Sequence, residues 1–249
     1  MDQLSSAARA FRARVGDESR FLDTCDGGDH GAPASPSIWV LGIEPGWSLA
    51  DEAADEKRTP EMAELSNQYS IGLQLSWPYN RNAFKLLAAI DGRPPEHYRE
   101  FAEERRPFEQ GSKGYFKGNL FPEPFNNVGA WDAEATESTG FATKAEYQAW
   151  LRATRFPVIR SWLEKCRPKL VIGTGLTHLA DFLTITGTTE TPLAYPFEVN
   201  GQPKRIHVAM SGIAPIAVVP HLSGGANGLN SYEATRITAD RIRTILQPV

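Results

Sequence analysis

Short runs of apolar residues alternate along this chain with longer stretches in which apolar residues recur at helical spacing. The most prominent apolar runs are residues 38–41, 170–172 and 216–219. Runs of this kind, bounded by Gly or Pro, are typical of strands that are buried on both faces. Residues 81–90 and 231–246 have instead the pattern of helices with one apolar side. The alternation predicts an α/β fold with a central, mainly parallel sheet that is flanked by helices on both faces.

The length suits one sizeable core or two small domains, and we predict the simpler arrangement, a single α/β domain over 1–249. An amphipathic helix over 2–22, with Leu4, Ala7, Ala8, Phe11 and Val15 on its apolar side, belongs to an N-terminal helical extension at about 1–25. In the first half we expect a loop over 26–37, a loop and helix near the site over 50–67, a helix and mobile loop over 96–117, and a strand at 119–121. An irregular insertion follows over 122–140, and then a helix over 143–165 that is interrupted at Pro157. The last elements are a tight turn at 173–175, a short helix over 177–183 in which His178 packs or caps, and a hairpin over 195–210 around Asn200-Gly201.

The motif Gly42-Ile43-Glu44-Pro45-Gly46 directly follows the first apolar run. A buried strand that ends in this way delivers one carboxylate to the carboxyl edge of the sheet. Glycine allows close backbone approach, and Pro45 biases Glu44 toward extended backbone, so the carboxylate is held in place. Two interpretations follow: Glu44 is a catalytic group, or it caps a neighbouring helix at an ordinary turn.

A histidine follows the late apolar run in the sequence Pro220-His221-Leu222-Ser223-Gly224-Gly225. It is also expected at the carboxyl edge of the sheet, next to a loop of small residues that a ligand could approach closely. Taken alone, a histidine after a strand is more often exposed or a cap. Paired with Glu44, it predicts hydrolytic chemistry in which the carboxylate orients water and the imidazole stabilises a leaving anion.

These two motifs resemble the first and second motifs of the uracil-DNA glycosylase superfamily. Three further stretches resemble the family in the same order, within about residues 36–246, and this shared order carries the resemblance. The first is Trp77-Pro78-Tyr79-Asn80-Arg81-Asn82-Ala83-Phe84-Lys85-Leu86-Leu87, which is similar to the mismatch-specific branch. The second is Lys117-Gly118-Asn119-Leu120-Phe121-Pro122, which looks like the strand whose asparagine reads the flipped base. The third is Arg167-Pro168-Lys169-Leu170-Val171-Ile172-Gly173, which looks like the helix-to-strand passage before the second motif.

The resemblance implies the three-layer sandwich of the uracil-DNA glycosylases and a DNA glycosylase activity, in base-excision repair or in phage defence. A pyrimidine-type base would be flipped out of DNA and its N-glycosidic bond hydrolysed, which leaves an abasic site. Glu44 and His221 are the implied catalytic residues. The implied base-binding residues are Asn119 for the base edge, Tyr79 or Trp77 for stacking, and Gly46 and Ile43.

Two departures from the family pattern bear on the substrate and on DNA contact. The strict uracil enzymes have a tyrosine where this chain has Gly46, so the resemblance implies a pocket that tolerates a C5 substituent, as in mispaired thymine, an oxidised or hydroxymethylated pyrimidine, or a bulky base of phage DNA. The family commonly continues its histidine motif with Pro-Ser-Pro and a wedge residue, which this chain lacks. The candidates for the wedge or for DNA contact are Leu222, Ser223, Leu229 and Lys117, and both leucines have loop anchoring as the alternative.

Composition limits the cofactors and partners that are expected. The two cysteines, Cys25 and Cys166, are too few for a zinc site or an iron–sulfur cluster, and the hypothesised reaction requires no metal or cofactor. No run approaches the roughly 18 apolar residues of a membrane span. We therefore expect a cytoplasmic protein without a membrane or an obligatory protein partner, and the resemblance implies DNA as its partner.

The formal net charge of −4 argues against DNA binding unless basic residues cluster. The candidate basic pairs are Arg81 with Lys85, Lys113 with Lys117, and Lys204 with Arg205. Two other functions stay open. One is a non-catalytic nucleic-acid-binding module on the same fold, and the other is a hydrolase of nucleosides or other glycosides.

Overall fold

The computed structural model describes residues 4–45, 69–125 and 131–246. Its strands are β1 (Gly27–Gly28), β2 (Ile38–Gly42), β3 (Tyr115–Asn119), β4 (Leu170–Thr174), β5 (Leu193–Val199), β6 (Gln202–Ala209) and β7 (Ile216–Val219). Its α-helices are α1 (Ser6–Gly16), α2 (Ile71–Gln74), α3 (Pro78–Ile90), α4 (Tyr98–Arg105), α5 (Ala133–Thr139), α6 (Lys144–Cys166), α7 (Leu179–Thr186) and α8 (Tyr232–Leu246). Short 3₁₀ helices cover Glu18–Thr24, Pro95–His97 and Leu176–His178.

The described strands form one mixed sheet in the order β1-β3-β2-β4-β7-β6-β5. The four neighbouring strands β3, β2, β4 and β7 are parallel to one another. The outer strands β1, β6 and β5 are each antiparallel to their neighbours. The predicted α/β class is therefore confirmed, and the parallel arrangement holds for the central four strands.

Alternate residues of the central strands belong to two separate cores. Ile38 and Val40 of β2 pack with apolar residues of α3, α4 and α8. Trp39 and Leu41 pack with apolar residues of α1, α6 and α7. Because successive side chains of a strand point to opposite faces, the sheet carries helices on both sides.

The N-terminal helix is shorter than the predicted helix over 2–22. It ends at Gly16, and Asp17 is extended, with φ −90° and ψ 113°. The Asp17 carboxylate accepts a hydrogen bond from Ser19 N at 2.9 Å and so caps the 3₁₀ helix that follows. A capping aspartate directly after Gly16 favours the start of a separate helix over continuation of α1. Ala8, Phe11 and Val15 are buried as predicted, whereas Ala7 is exposed.

Helix α6 continues through Pro157, so the interruption predicted there is wrong. A proline inside a helix leaves the carbonyl four residues earlier without its helical donor. Pro157 and Ala153 are both exposed, so water can satisfy that carbonyl. Leu151, Phe156 and Ile159 are buried in the core on the other side of the helix, and this packing compensates for the lost hydrogen bond.

The other predicted elements differ from the structure mainly in their bounds. The strand predicted at 119–121 begins at Tyr115, so Lys117 lies in a strand and not in a mobile loop. Helix α5 lies within the stretch that was predicted to be irregular over 122–140. The predicted hairpin is confirmed, since Asn200 and Gly201 have φ of 51° and 72°, as a type I′ turn requires. The loop and helix predicted over 50–67 lie outside the described residues.

Candidate functional site

The four parallel strands all end at the same edge of the sheet, and each end carries a polar residue. In spatial order these ends supply Asn119 from β3, Glu44 two residues after β2, Thr174 from β4 and His221 two residues after β7. Ligands of parallel α/β sheets bind at this edge. The polar residues around it fall into two clusters that face different helices.

We call the first group the histidine cluster: Asp26, Tyr79, Lys117, Asn119, Thr174 and His221. The Asp26 carboxylate accepts hydrogen bonds from Lys117 Nζ at 3.0 Å and from Asn119 Nδ2 at 2.7 Å. A carboxylate only accepts here, so the amide nitrogen of Asn119 must face Asp26. This contact fixes the orientation of an amide that is only 5% exposed.

Tyr79 lies at the centre of the histidine cluster. Its hydroxyl is 2.9 Å from Thr174 Oγ1, which donates its own proton to the Leu41 carbonyl at 3.3 Å. The tyrosine therefore donates to Thr174. Lys117 Nζ lies 5.0 Å from the centroid of the tyrosine ring, and the His221 ring centroid lies 5.6 Å from it. A cation and an imidazole therefore both lie next to the Tyr79 ring.

Burial lowers the pKa of His221 below its ordinary value of 6.5. The imidazole is consequently neutral at neutral pH. A neutral imidazole carries one N–H and can donate a hydrogen bond to a group that gains negative charge. This property fits the role that the sequence suggested for His221.

Two glycines bring the backbone of the strand ends close to these side chains. A side chain at Gly42 would collide with Asn119 Oδ1 and would lie 3.4 Å from the Tyr79 hydroxyl. At Gly175, where φ is +122°, a Cβ would lie 2.6 Å from Ile43 Cδ1 and 3.8 Å from His221 Cδ2. Ile43, Gly175 and His221 are therefore neighbours. The turn predicted at 173–175 serves this close approach.

The second group is the glutamate cluster: Glu44, Lys144, Gln148, Arg152, His178 and Asp181. The Glu44 side chain is 4% exposed, and its Oε2 atom lies 2.8 Å from Lys144 Nζ at the start of α6. Burial raises the pKa of Glu44 above its ordinary value of 4.5, and Lys144, His178 and Gln148 oppose that rise. The other oxygen, Oε1, is buried and has no hydrogen-bond partner among the described residues.

His178 belongs to this cluster and is held by an ion-paired aspartate. Its Nδ1 atom lies 2.8 Å from Asp181 Oδ2, and Arg152 binds both oxygens of Asp181, at 2.7 and 2.8 Å. These hydrogen bonds lower the pKa of Asp181 to about 2 although its burial acts in the opposite direction. The sequence predicted that His178 packs or caps a helix. It did not predict that His178 lies near Glu44.

The two clusters meet at Ile43 and Gly175 without a direct bond between Glu44 and His221. Across the described residues, no hydrogen bond or ion pair joins those two side chains. Glu44 faces α6 and the start of α7, whereas His221 faces Tyr79 on α3. A substrate that uses both side chains must therefore span the position of Ile43.

The other predicted site residues have different positions. Trp77 contacts Tyr69, with ring centroids 5.0 Å apart, and within the described chain no ring contact links it to Tyr79 or His221. Leu222 and Leu229 are both 0% exposed and pack in the core with α3 and α8, which is the loop-anchor interpretation and leaves no exposed wedge at either position. Ser223 is exposed, and Gly46 lies outside the described residues.

Most of the candidate basic residues are used within the protein. Arg81 donates to the Leu75 and Ser76 carbonyls, and Lys85 donates to Asn82 Oδ1 and to the Asn230 carbonyl. Lys204 donates to the carbonyls of Ala226 and Gly228. The contacts of Lys85 and Lys204 organise the loop after His221, and those of Arg81 hold the segment before α3.

A cavity of about 310 Å³ lies at the opposite edge of the sheet. Its lining includes Ile38, Asp91, Tyr115, Lys169 and Arg243. Ile38 and Tyr115 begin β2 and β3, so this cavity is distant along the strands from both clusters. The two clusters, with their fixed polar groups, define the candidate site.

The described part of the chain has no group of three or more His, Cys, Asp or Glu residues arranged to hold a metal ion. Within the same residues, no helix is both long and apolar enough to span a bilayer. Comparison with protein-family models and with curated proteins finds no match to this chain.

Proposed function

We propose that the protein is a DNA N-glycosylase that removes a pyrimidine-type base and leaves an abasic site. The observation that supports this most strongly is the histidine cluster. It places a neutral imidazole, an oriented amide and an aromatic ring together at the carboxyl ends of parallel strands. These three groups have the chemistry needed to bind a planar base and to stabilise the negative charge that it gains on leaving.

Asn119 is the group that would read the base. One N–H of its amide is occupied by Asp26, which leaves the second N–H and the Oδ1 acceptor for a ligand. An adjacent donor and acceptor complement the carbonyl and the ring N–H of uracil or thymine. Because Asp26 prevents the amide from flipping, the site would select this pattern over that of cytosine.

Glu44 and His221 would act on opposite sides of the glycosidic bond. As the bond between C1′ and the base nitrogen breaks, its electron pair moves to the base, and an N–H of His221 donates to the resulting anion. Water adds to C1′ and passes a proton to Glu44. Glu44 Oε1, which has no hydrogen-bond partner among the described residues, is the acceptor that this step requires.

The substrate class follows from the sequence in this proposal. By the family resemblance, Gly46 stands where the strict uracil enzymes have a tyrosine that crowds the C5 edge of the base, so mispaired thymine and C5-modified pyrimidines, including bulky phage-type bases, are the proposed substrates. A three-layer arrangement like that of the uracil-DNA glycosylases is part of the same proposal. The four parallel strands with helices on both faces are compatible with it.

The DNA backbone would contact the exposed loop over 223–227. Lys204 and Asn230 shape this loop through hydrogen bonds to its carbonyls, which leaves Ser223 and the glycines exposed at the sheet edge. Exposed backbone N–H groups and a serine hydroxyl can bind phosphate without a large basic patch. This arrangement suits a chain with a net charge of −4.

The test is a panel of oligonucleotides that contain uracil, mispaired thymine, 5-hydroxymethyluracil or a glucosylated pyrimidine, in single and double strands. Alkali after incubation cleaves at any abasic site. We expect cleavage with at least one base and none with Asn119→Leu, whose side chain cannot read the base edge. Absence of cleavage with every base would overturn the proposal.

A nucleoside or glycoside hydrolase is the second candidate, and the internal use of Arg81, Lys85 and Lys204 favours it. A small substrate needs no phosphate-binding surface. This alternative predicts activity on free nucleosides and binding that is almost independent of salt, whereas DNA binding weakens steeply with salt. A non-catalytic nucleic-acid-binding module would instead bind DNA normally in the Glu44→Gln and His221→Ala variants and give no product with the wild type.

A further inference from the structure

Lys144 occupies a position that helix stability does not favour. It is the first residue of the 23-residue helix α6. A positive charge at a helix N-terminus is unfavourable because it faces the positive end of the helix dipole. Thr143 and Glu146 already cap this end with a reciprocal pair of hydrogen bonds. The lysine therefore has another reason to be there, and its amino group points at Glu44.

The Lys144 and Glu44 pair lies in surroundings that are nearly free of water. The two side chains are 12% and 4% exposed, and Lys144 Nζ lies 4.3 Å from the centroid of the Phe125 ring. Glu44 Oε1 remains without a partner among the described residues. The hydrogen bond from Lys144 Nζ to Glu44 Oε2, at 2.8 Å, gives the ammonium an acceptor to which it can pass a proton. The product of that transfer is a free amine.

We propose that Lys144 is a nucleophile that attacks C1′ of an abasic site, so that the protein also cleaves the DNA strand as an abasic-site lyase. This inference rests on the proposed function only in placing the sugar beside Glu44. The Nζ atom is one hydrogen bond away from the carboxylate that would face C1′. Lysine amines form Schiff bases with carbonyl carbons of this kind.

The reaction balances without an oxidant or a metal. Lys144 passes one proton to Glu44, its amine adds to the C1′ aldehyde of the ring-opened sugar, and water leaves to form an imine. Glu44, once it has returned its proton to that water, takes a proton from C2′. The C3′–O bond then breaks and its electron pair leaves with the phosphate, which forms a C2′–C3′ double bond. Water hydrolyses the imine and restores the amine.

The other lysine at this edge is not suited to the role. Lys117 Nζ donates to Asp26 and lies over the Tyr79 ring, within the histidine cluster. Its position is on the base side of the proposed site. Lys169 is exposed and lies at the start of β4, at the opposite edge of the sheet, so it provides a matched control.

The experiment uses an oligonucleotide with a preformed abasic site and sodium borohydride, which reduces an imine to a permanent crosslink. We expect a covalent complex with the wild type and with Lys169→Arg, and its loss with Lys144→Arg. Peptide mass spectrometry would place the adduct at Lys144. Arginine keeps the positive charge beside Glu44, and circular dichroism would verify that the variant folds.

Two results would overturn the inference: a wild-type protein that forms no crosslink, or a Lys144→Arg variant that crosslinks as well as the wild type. Because the abasic site is supplied preformed, the result does not depend on base excision. A crosslink at Lys144 without excision of any base would contradict the proposed function alone. Base excision without a crosslink would contradict the lyase alone.

Discussion

The two polar clusters lie at the same sheet edge but are built on different principles. The histidine cluster contains a neutral imidazole, a phenol and an amide that are fixed by hydrogen bonds to Asp26 and Thr174. The glutamate cluster is a chain of acidic and basic side chains, from Lys144 through Glu44 and His178 to Asp181. The first suits recognition of a planar base and the second suits proton transfer. In the proposed mechanism both clusters take part in the chemistry, since His221 would stabilise the leaving base and Glu44 would accept the proton of the attacking water.

Removing the central side chain of either cluster is expected to have the largest effect. Glu44→Gln and His221→Gln should each slow base excision by about 10²–10⁴-fold, since each removes a group that acts in the transition state. Single-turnover excision measures this loss. His97→Gln, at an exposed histidine, is the control and should be unaffected. A loss of less than about tenfold in either variant would remove that cluster from the chemistry.

Gly42→Ala tests the close approach on which the histidine cluster depends. The new methyl group would displace Asn119, because it would collide with Oδ1. We expect a loss of about 1–3 kcal/mol in the free energy of unfolding by urea, together with slower excision. Gly72→Ala has open space around the added methyl and should be neutral or slightly stabilising. If the two variants have the same free energy of unfolding, Asn119 moves away from the new methyl group without loss of stability, which would contradict this expectation.

The pH dependence of excision separates the clusters. Glu44 must be ionised to accept a proton, and burial raises its pKa while Lys144 opposes the rise. Lys144→Met should therefore raise the pKa of Glu44 further and move the acid limb of the kcat/KM profile to higher pH. Lys144→Arg, which keeps the charge, should shift it much less. If the acid limb of the kcat/KM profile stays in place in the Lys144→Met variant, a group other than Glu44 causes that limb.

The ion pair at the far end of the glutamate cluster is expected to contribute to stability by a smaller amount. The folded-state pKa of Asp181, about 2, lies below its ordinary value of 3.8. Its stabilisation is therefore fully present above about pH 4 and is lost as the pH falls through about 2. Asp181→Asn should cost on the order of 1 kcal/mol at neutral pH, and the difference from the wild type should shrink in acid.

Thermal unfolding across this pH range gives the Asp181 measurement. Asp240→Asn is the control, because the Asp240 pair with Arg243 is exposed and should contribute little. A destabilisation by Asp181→Asn that is independent of pH would mean that packing, and not the charge on Asp181, holds His178.

The sheet edge could be predicted from the sequence because each central strand is a short apolar run followed by a polar or glycine-containing turn. That pattern located Glu44, His221 and Asn119, and the Asn-Gly turn of the hairpin followed from its dihedral requirements. Thr174 carries the same signal, since it ends the apolar run of β4, but its role was missed.

The glutamate cluster was not predictable in the same way. Lys144, Arg152 and Asp181 come from helices that are remote from Glu44 in sequence, and surface charges on a helix give no local sign of a buried partner. The sequence left the roles of Leu222 and Leu229 open for a related reason, because a leucine looks the same in sequence whether it protrudes or anchors a loop, and the structure buries both. Tertiary packing decides both cases.

The most direct measurement is a crystal structure of the Glu44→Gln variant with an oligonucleotide that contains a non-cleavable analogue of the excised nucleotide. The account predicts that the sugar C1′ lies between position 44 and His221, above Ile43, with the base edge on Asn119 and the base ring beside Tyr79. A nucleotide that contacts only one of the two clusters, or that binds elsewhere on the protein, would contradict it.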